Sequence, residues 1–220
     1  MFRLITIERE YGSGAASIAA SLADLLGWKL WDQRLTEEIA RIAQVDPRAV
    51  KRCDERVDSR VHRLAKVFWR GSYERSSPLG HQIFDTDRMM AMMQDIMNRI
   101  GQEGNAVIVG RGAPYFLREN PCAFHVFLYA PRAEKIRRVL AEGHSQDEAE
   151  EMVDSVDLER IAYVKHYFNA DWPTRSLYHL MLNTAVGNEP VIKTILDTMH
   201  LVEGSPKATD YESPRVPTTT

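Results

Sequence analysis

A short glycine turn near the start of the chain is the first feature that could do chemistry. The sequence GSG occupies residues 12–14, between an apolar run at residues 4–7 and a helical pattern that begins at Ala15. A turn between a strand and a helix presents unpaired backbone N–H groups, and glycine lets the chain curl closely around a phosphate. The pattern therefore suits phosphate binding, although a plain structural turn explains the glycines equally well.

This turn departs from the usual phosphate-binding loop, whose consensus is GxxxxGK[ST]. Gly14 matches the second glycine, but Arg9 stands at the first glycine and Ala15 at the lysine. Ser17 keeps a hydroxyl two positions beyond the expected lysine. A guanidinium can hold two phosphate oxygens at once, so Arg9 is the candidate to replace the lysine. An ion pair with a neighbouring glutamate is the competing interpretation of Arg9.

Two further polar residues follow apolar segments that are predicted strands. Asp32 comes directly after residues 28–31, and Arg111 follows residues 106–109. Ligands of parallel α/β sheets bind at the carboxyl ends of the strands, where both residues would meet the glycine turn. Asp32 could instead cap the next helix, and Arg111 could be ordinary surface charge. Arg88 belongs either to the same pocket or to a solvated helix start.

The elements that must position these residues follow a strand and helix rhythm. The predicted strands are 4–7, 28–31, 106–109, 124–129 and 177–182. The clearest helical patterns are 15–26, 86–102, 133–140, 156–168 and 190–201. Short apolar strands that alternate with helices predict an α/β fold with a mostly parallel five-stranded sheet.

Two segments interrupt this rhythm. Residues 46–85 are heavily charged and then broken by Gly, Ser, Pro and Arg, which predicts an exposed helical and loop insertion. Residues 203–220 are rich in Ser, Pro, Thr and charge, as is typical of a disordered tail. Since residues 1–202 show no internal repeat and no second core, we expect a single domain.

Composition excludes several classes of function. The 28 Lys and Arg against 31 Asp and Glu give a net charge of -3, which argues against nucleic acid or a membrane as partner. No apolar run approaches the roughly 20 residues that span a bilayer, and the start does not resemble a signal peptide, so we expect a cytoplasmic protein. Cys53 and Cys122 lie far apart, and the histidines lack metal-ligand spacing.

The whole pattern resembles the cytidylate kinase-like family of P-loop kinases. The sequences REYGSG at residues 9–14, VIVGRG at 107–112 and VFLYAP at 126–131 resemble successive motifs of that family. Further matches are Asp157 with Arg160, Tyr163 and Lys165, then DW at 171–172 and NT at 183–184. The resemblance extends over most of residues 2–200 and is poorest over the insertion.

The resemblance implies a P-loop NTPase-type three-layer sandwich with a helical insertion in the acceptor-binding region and a lid at residues 143–172. It also implies transfer of the γ-phosphoryl group of ATP, with Mg²⁺, to a nucleoside monophosphate or a similar small acceptor, cytidylate by default. Such transfer depends on positioning and charge neutralisation, so its catalysts are cations and amides rather than a covalent nucleophile.

The resemblance also assigns roles to individual residues. The phosphate loop comprises Gly12, Ser13, Gly14, Ala15, Ala16 and Ser17. Arg9 and Arg160 would act on the transferring phosphoryl group, and Arg111, with Arg88 as a weaker candidate, would hold the acceptor phosphate. Asp32 would orient the acceptor or, with Ser17, hold Mg²⁺.

The lid candidates are Asp157, Arg160 and Lys165. Asp157 and Arg160 match a D-x-x-R lid motif whose arginine closes over the transferring group. The same spacing is equally typical of an ordinary ion pair within one helix. Lys165 is a weaker candidate because helix surfaces carry lysines routinely.

Three positions depart from the pattern of cytidylate kinases. Ala15 removes the loop lysine, Gly112 replaces the aspartate that contacts the base, and Asp154 replaces the first arginine of the lid. The first change threatens catalysis and the second threatens cytidylate specificity. The alternative function is therefore a nucleotide-binding regulatory or interaction protein without turnover. Methionines at residues 89–97 would suit a partner face, although a core or homodimer contact is the favoured interpretation.

Overall fold

A computed structural model describes residues 1–32 and 86–204 and, in the second range, side chains from residue 90 onward. The strands are β1 Leu4–Arg9, β2 Lys29–Trp31, β3 Ala106–Val109, β4 Ala123–Tyr129 and β5 Leu180–Asn183. The helices are α1 Ala15–Leu26, α2 Thr86–Glu103, α3 Ala113–Phe116, α4 Arg132–Ala141, α5 Gln146–Phe168 and α6 Asn188–Gly204. Single 3-10 turns, Arg175–Leu177 and Thr184–Val186, flank β5.

Three predictions concern parts of the chain outside the described residues. They are the insertion at 46–85, the side chain of Arg88, and residues 205–220 of the predicted tail. The first two residues of that predicted tail, 203 and 204, instead complete α6. The division into one domain with an insertion and a tail therefore stays a prediction.

The five strands form one fully parallel sheet in the order β2-β3-β1-β4-β5. β1 lies at the centre, paired with β3 from Leu4 opposite Ala106 and with β4 from Leu4 opposite Ala123. All carboxyl ends consequently meet at one edge, which we call the carboxyl edge; the opposite side is the amino edge. The α/β class and the five predicted strands are confirmed, although the last strand begins at Leu180 because Leu177 belongs to a 3-10 turn.

Helices cover both faces of the sheet and produce the three layers. Ile5 and Ile7 point into a core shared with α1 and α6, whereas Leu4 points into a core shared with α2 and α5. Side chains alternate between faces along a strand, so Glu8 lies on the face of Leu4. This alternation directs a carboxylate toward α5 at the end of β1.

The methionine stripe of α2 belongs to the core where its side chains are described. Met93 and Met97 are fully buried and pack with Ile96 and Ile100 against the sheet. Met side chains adapt to irregular gaps between a helix and a sheet. For Met93 and Met97 the favoured interpretation, core packing, is confirmed.

Helix α5 is longer than the sequence pattern predicts. The expected helix begins at Val156, but the observed one begins after Ser145, whose hydroxyl and Glu148 form a reciprocal capping box. Ala149 and Val153 are buried one turn apart within the acidic stretch and fix its inner face. Dense charge concealed this apolar spacing, so the predicted start was wrong. The predicted lid region is largely one helix.

Within the described ranges, none of the helices combines the length and apolar character that a bilayer crossing requires.

Candidate functional site

Three arginines converge at the carboxyl edge. Arg9 ends β1, Arg111 follows β3, and Arg160 lies on α5. Arg9 is 8% and Arg111 7% exposed, so both guanidinium groups lie inside the protein. Burial, followed by the nearby charge of Arg9 and the weaker effect of Arg160, lowers the pKa of Arg111 to about 10. The structure thus brings together the three arginines to which the family resemblance assigns contacts with phosphate groups.

Carboxylates accompany these arginines. Glu8 Oε1 lies 3.7 Å from Arg9 Nη1, and burial raises the pKa of Glu8 despite the opposing charges of Arg9 and Arg160. Burial lowers the pKa of Arg9 and of Arg111, and the charge of Asp32 opposes that lowering in both, so Asp32 also lies near the cluster. Arg9 therefore forms the ion pair with a neighbouring glutamate that the competing interpretation predicts, and it also lies in the arginine cluster.

Arg9 reaches across to β3 because Gly110 has no side chain. A Cβ atom on Gly110 would lie 1.8 Å from Arg9 Nη1, well inside van der Waals contact. Gly110 also adopts a φ of +65°, which disfavours residues with a side chain. A residue with a side chain at position 110 would therefore force the guanidinium of Arg9 out of its observed place.

Helix α5 contacts the backbone of the glycine loop through its D-x-x-R pair. Asp157 Oδ1 accepts a hydrogen bond from Tyr11 N at 2.9 Å, and Arg160 Nη1 donates to the carbonyl oxygen of Arg9 at 2.8 Å. The two side chains also pair with each other at 2.9 Å. Both interpretations of this motif are thus present: an ion pair within the helix that also docks the helix onto the loop.

A second set of contacts comes from α4 and the turn after β5. Lys135 Nζ lies 3.0 Å from Glu10 Oε2 and 3.4 Å from Asp157 Oδ2. Thr184 Oγ1 donates to the carbonyl oxygen of Ser13 at 2.6 Å, and Arg138 donates to the same oxygen. Sequence reasoning missed these supports, although NT at residues 183–184 was one of the recognised motifs.

The start of α1 faces the carboxyl edge with little competition for its N–H groups. Its N-cap is Gly14, at φ 76°, and no side-chain cap hydrogen bond is formed there. The hydroxyl of Ser13 is buried and has no hydrogen-bond partner among the described residues. An uncapped helix start beside a buried hydroxyl is a suitable environment for phosphate oxygens.

The remaining loop residues face other directions. Ala15 is buried in the core with α6, and Ala16 is exposed. Ser17 Oγ donates to the carbonyl oxygen of Gly14 at 2.9 Å and accepts from Asn188 Nδ2 at 3.0 Å. These contacts place Ser17 against α6, whereas Asp32 faces the arginines. The described residues contain no group of three or more potential metal ligands.

Gly112 stands against an aromatic surface. A Cβ atom there would lie 2.8 Å from Phe168 Cζ and 3.5 Å from Tyr163 Cε1. Phe168 is held in place by stacking on Tyr115, with ring centroids 4.7 Å apart. An aspartate at position 112 would have to displace this ring. The glycine at this position is therefore matched to its surroundings.

Two residues of the predicted lid region, Asp154 and the lid candidate Lys165, make surface ion pairs. Asp154 is bound through both oxygens by Arg132, at 2.9 and 2.7 Å. Lys165 Nζ lies 3.5 Å from Asp171 Oδ1 near the end of α5, and both side chains are exposed. The structure therefore joins Asp157 and Arg160 to the arginine cluster but gives Asp154 and Lys165 exposed partners.

Comparison with known proteins gives the same architecture. An uncharacterized protein from Eubacterium ventriosum superimposes with a TM-score of 0.64 at 19% identity, covering 90% of this chain and 98% of the other. A shikimate kinase from Acinetobacter baumannii in complex with shikimate gives 0.50 at 16%, covering 93% and 97%. A sugar kinase from Janibacter gives 0.51 at 16%, covering 91% and 95%. At these identities the likeness concerns the fold alone.

The sequence itself provides the family assignment. No curated protein matches the chain. The model of the cytidylate kinase-like family matches residues 4–186, a stretch that includes the glycine loop, Arg111 and the D-x-x-R pair of α5. Since this match spans most of the 220 residues, the chain belongs to the cytidylate kinase-like family.

Proposed function

We propose that the protein transfers a phosphoryl group from ATP to a small anionic acceptor, with a nucleoside monophosphate, cytidylate by default, as the first candidate. Membership of a kinase-like family supports a nucleotide or small-molecule kinase. The observation that carries the proposal is the convergence of Arg9, Arg111 and Arg160 beside the glycine loop. Preorganised cations at this position neutralise charge that develops during phosphoryl transfer.

The donor site would be the glycine loop with the start of α1. Gly14 leaves this helix without a side-chain cap, and the buried hydroxyl of Ser13 can bind a phosphate oxygen. Arg9 would contact the outer phosphates in place of the lysine that is absent at position 15. Mg²⁺ commonly binds through one or two carboxylates plus the phosphates of the substrate, and Asp32 is the residue that would hold it here.

The acceptor site would be centred on Arg111. Its buried guanidinium lies at the end of β3, where it can hold an anionic group of the acceptor by paired hydrogen bonds. Arg160 would face the transferring group from α5. Gly112 cannot read a base as an aspartate would, so any preference for cytidylate must come from other residues.

The experiment is a thermal-shift and calorimetric titration with ATP and with each nucleoside monophosphate, in the presence of Mg²⁺. Wild type and Arg111→Ala are compared with Arg118→Ala, which removes an exposed arginine whose Nε lies 3.3 Å from Glu119 Oε1. A ligand that binds the folded state raises its melting temperature by mass action. We expect Arg111→Ala to abolish the monophosphate shift and preserve the ATP shift.

Loss of neither shift in Arg111→Ala would contradict the acceptor assignment. Absence of an ATP shift in the wild type would contradict the donor site. The control Arg118→Ala should bind both ligands as the wild type does, because its side chain lies away from the carboxyl edge.

A second function, nucleotide binding without turnover, is favoured by one observation. The loop lysine is replaced by Ala15, which lies in the core. Loss of one preorganised charge contact costs on the order of 3 kcal/mol in the transition state, or roughly a hundredfold in rate. Single-turnover transfer of labelled γ-phosphate with saturating enzyme distinguishes the two functions, since a kinase labels the acceptor and a binding protein does not.

A further inference from the structure

Lys135 of α4 occupies an unusual position for a lysine. Its side chain is only 11% exposed, and its ammonium group lies between two carboxylates, Glu10 of the loop and Asp157 of α5. Burial of a lysine is costly unless its charge is paired and hydrogen-bonded. The two carboxylates satisfy that requirement and bring the loop, α4 and α5 to one point.

The backbone of α4 also touches the loop directly at this residue. A Cβ atom on Gly12 would lie 3.0 Å from Lys135 Cβ and 3.1 Å from the carbonyl oxygen of Lys135. Gly12 adopts a φ of +70°, so both its conformation and its surroundings favour glycine. The loop therefore rests on α4 at Lys135.

The contacts of Lys135 extend to two consecutive loop residues. Glu10 is held through its side chain, while its N–H donates to the carbonyl oxygen of Leu128 at 2.9 Å. Tyr11 is held through Asp157, which accepts its N–H at 2.9 Å. One ammonium group thus fixes the segment that leads into Gly12 and the start of α1.

We propose that Lys135 is a positioning residue that holds the glycine loop in the shape that binds the donor phosphates. Lys135 acts from α4, whereas the lysine of the usual phosphate-binding loop lies at the start of the helix that follows the loop. In this chain that position is Ala15. The proposal rests on the proposed function for the identity of the donor. Its physical content is preorganisation, because a loop that is fixed before binding loses less freedom when phosphate arrives.

The test compares Lys135→Met with Lys193→Met, a matched control on α6. Lys193 is 76% exposed and pairs with Asp197 at 2.8 Å, away from the loop. Hydrogen exchange is measured without nucleotide on the peptide covering residues 10–14, and ATP affinity is measured by calorimetry. We expect Lys135→Met to accelerate loop exchange about tenfold and weaken ATP binding about tenfold, with α6 unchanged.

A rescue variant separates positioning from general stability. Lys135→Arg keeps the positive charge between the two carboxylates, so loop exchange and ATP affinity should remain within about threefold of wild type. If Lys135→Met does not fold, Glu10→Gln removes the charge of one partner at the loop surface and should produce the same local acceleration of exchange.

The inference is overturned if the loop of folded Lys135→Met, or of Glu10→Gln where that variant is used, exchanges at the wild-type rate. It is also overturned if exchange becomes faster evenly over the whole protein, or if Lys193→Met shows a matching effect. Wild-type ATP affinity despite faster loop exchange overturns it as well. Absence of ATP binding to the wild type refutes the proposed function instead. In that case the exchange measurement, made without nucleotide, still decides whether Lys135 holds the loop.

Discussion

The two edges of the sheet both bury polar side chains, but they satisfy them differently. At the carboxyl edge, charged groups such as Arg9, Arg111 and Glu8 are buried together. Toward the amino edge, His125 Nδ1 and Thr6 Oγ1 form a hydrogen bond of 2.6 Å, and His125 N donates to His179 Nδ1 at 3.0 Å. Burial lowers the pKa of both histidines, which favours their neutral forms.

A cavity of about 360 Å³ opens at the amino edge, lined in part by Phe2, Arg118, His125 and Tyr178. Its charged lining residues, Arg118 and Glu119, are largely exposed and pair with each other. Buried charges that converge on one point are instead found at the carboxyl edge. A concave shape alone is therefore a weak indicator of function in this protein, whereas the convergence of buried charges is the observation on which the proposed site rests.

Gly110→Ala should have the largest effect on stability. The added methyl group meets Arg9 Nη1 at 1.8 Å, and the backbone at φ +65° is strained for alanine. Strain and overpacking together predict a loss of about 4 kcal/mol in the free energy of unfolding. Urea denaturation measures it.

Gly27→Ala is the matched control for this substitution. Gly27 has a φ of +64°, but a Cβ atom there would meet nothing within 4 Å. Only backbone strain should remain, about 1 kcal/mol. If both variants lost the same free energy of unfolding, the side chain of Arg9 would have moved aside at no cost. The carboxyl edge would then be less rigid than the distances imply.

The stability of the protein should depend on pH through the buried His125 near the amino edge. The pKa of His125 is lowered from 6.5 to about 4, mainly by burial. Between these values the unfolded chain takes up a proton that the folded protein does not, so stability falls as the pH drops from 6.5 to 4. The full effect is on the order of 3 kcal/mol.

Two measurements check this assignment. An NMR titration should show that His125 stays neutral until about pH 4. The difference in urea denaturation between wild type and His125→Asn should change over the same pH range, because other titrating groups cancel in the comparison. A His125 resonance that titrates near 6.5 would remove the contrast between the two edges.

The same substitution at two buried threonines sharpens the comparison. Thr184→Val removes the hydroxyl that donates to Ser13, and Thr6→Val removes the one bonded to His125. Each should cost about 1 to 2 kcal/mol of stability. Only Thr184→Val should weaken ATP binding, by about fivefold in calorimetry, because Thr184 is the one of these two threonines that contacts the glycine loop. Equal ATP affinities in the two variants would argue against this division.

The smallest effect is expected at Arg132. Its ion pair with Asp154 has good geometry, at 2.7 Å, but both side chains are about half exposed. Exposed pairs of this kind contribute little because water and salt screen them. Arg132→Ala should leave the denaturation midpoint and ATP affinity within experimental error. A clear loss of ATP affinity would show that the residues important for ATP binding extend from the carboxyl edge to the outer surface of α5.

The parts of the fold that were predictable are those with local signals. Apolar runs identified the strands, and the glycine loop, Asp32 and Arg111 followed from their position after those strands. The supports of the loop could not be predicted in this way. Lys135 and Glu10 are 125 residues apart in the chain, and nothing in either local pattern indicates that they pair. Their contact depends on how α4 packs against α5 and the glycine loop.

The start of α5 shows a different limit. Ser145 and Glu148 have the spacing of a capping box, so a local signal was present. The dense acidic charge around this box hides the apolar spacing that would otherwise extend the predicted helix to Ser145. Buried Ala149 and Val153 show that a highly charged helix needs only a narrow apolar stripe to dock.

The contact between Arg9 and Gly110 also constrains how this sequence can diverge. A side chain at position 110 is excluded while Arg9 occupies the space beside it. Loss of Arg9 would remove the three atoms nearest to a side chain at position 110, while the strain of the backbone at φ +65° would remain. We therefore expect a sequence that first loses the arginine to tolerate a change at position 110 better than a sequence that first loses the glycine. The residues at the ends of β1 and β3 thus constrain each other's substitutions.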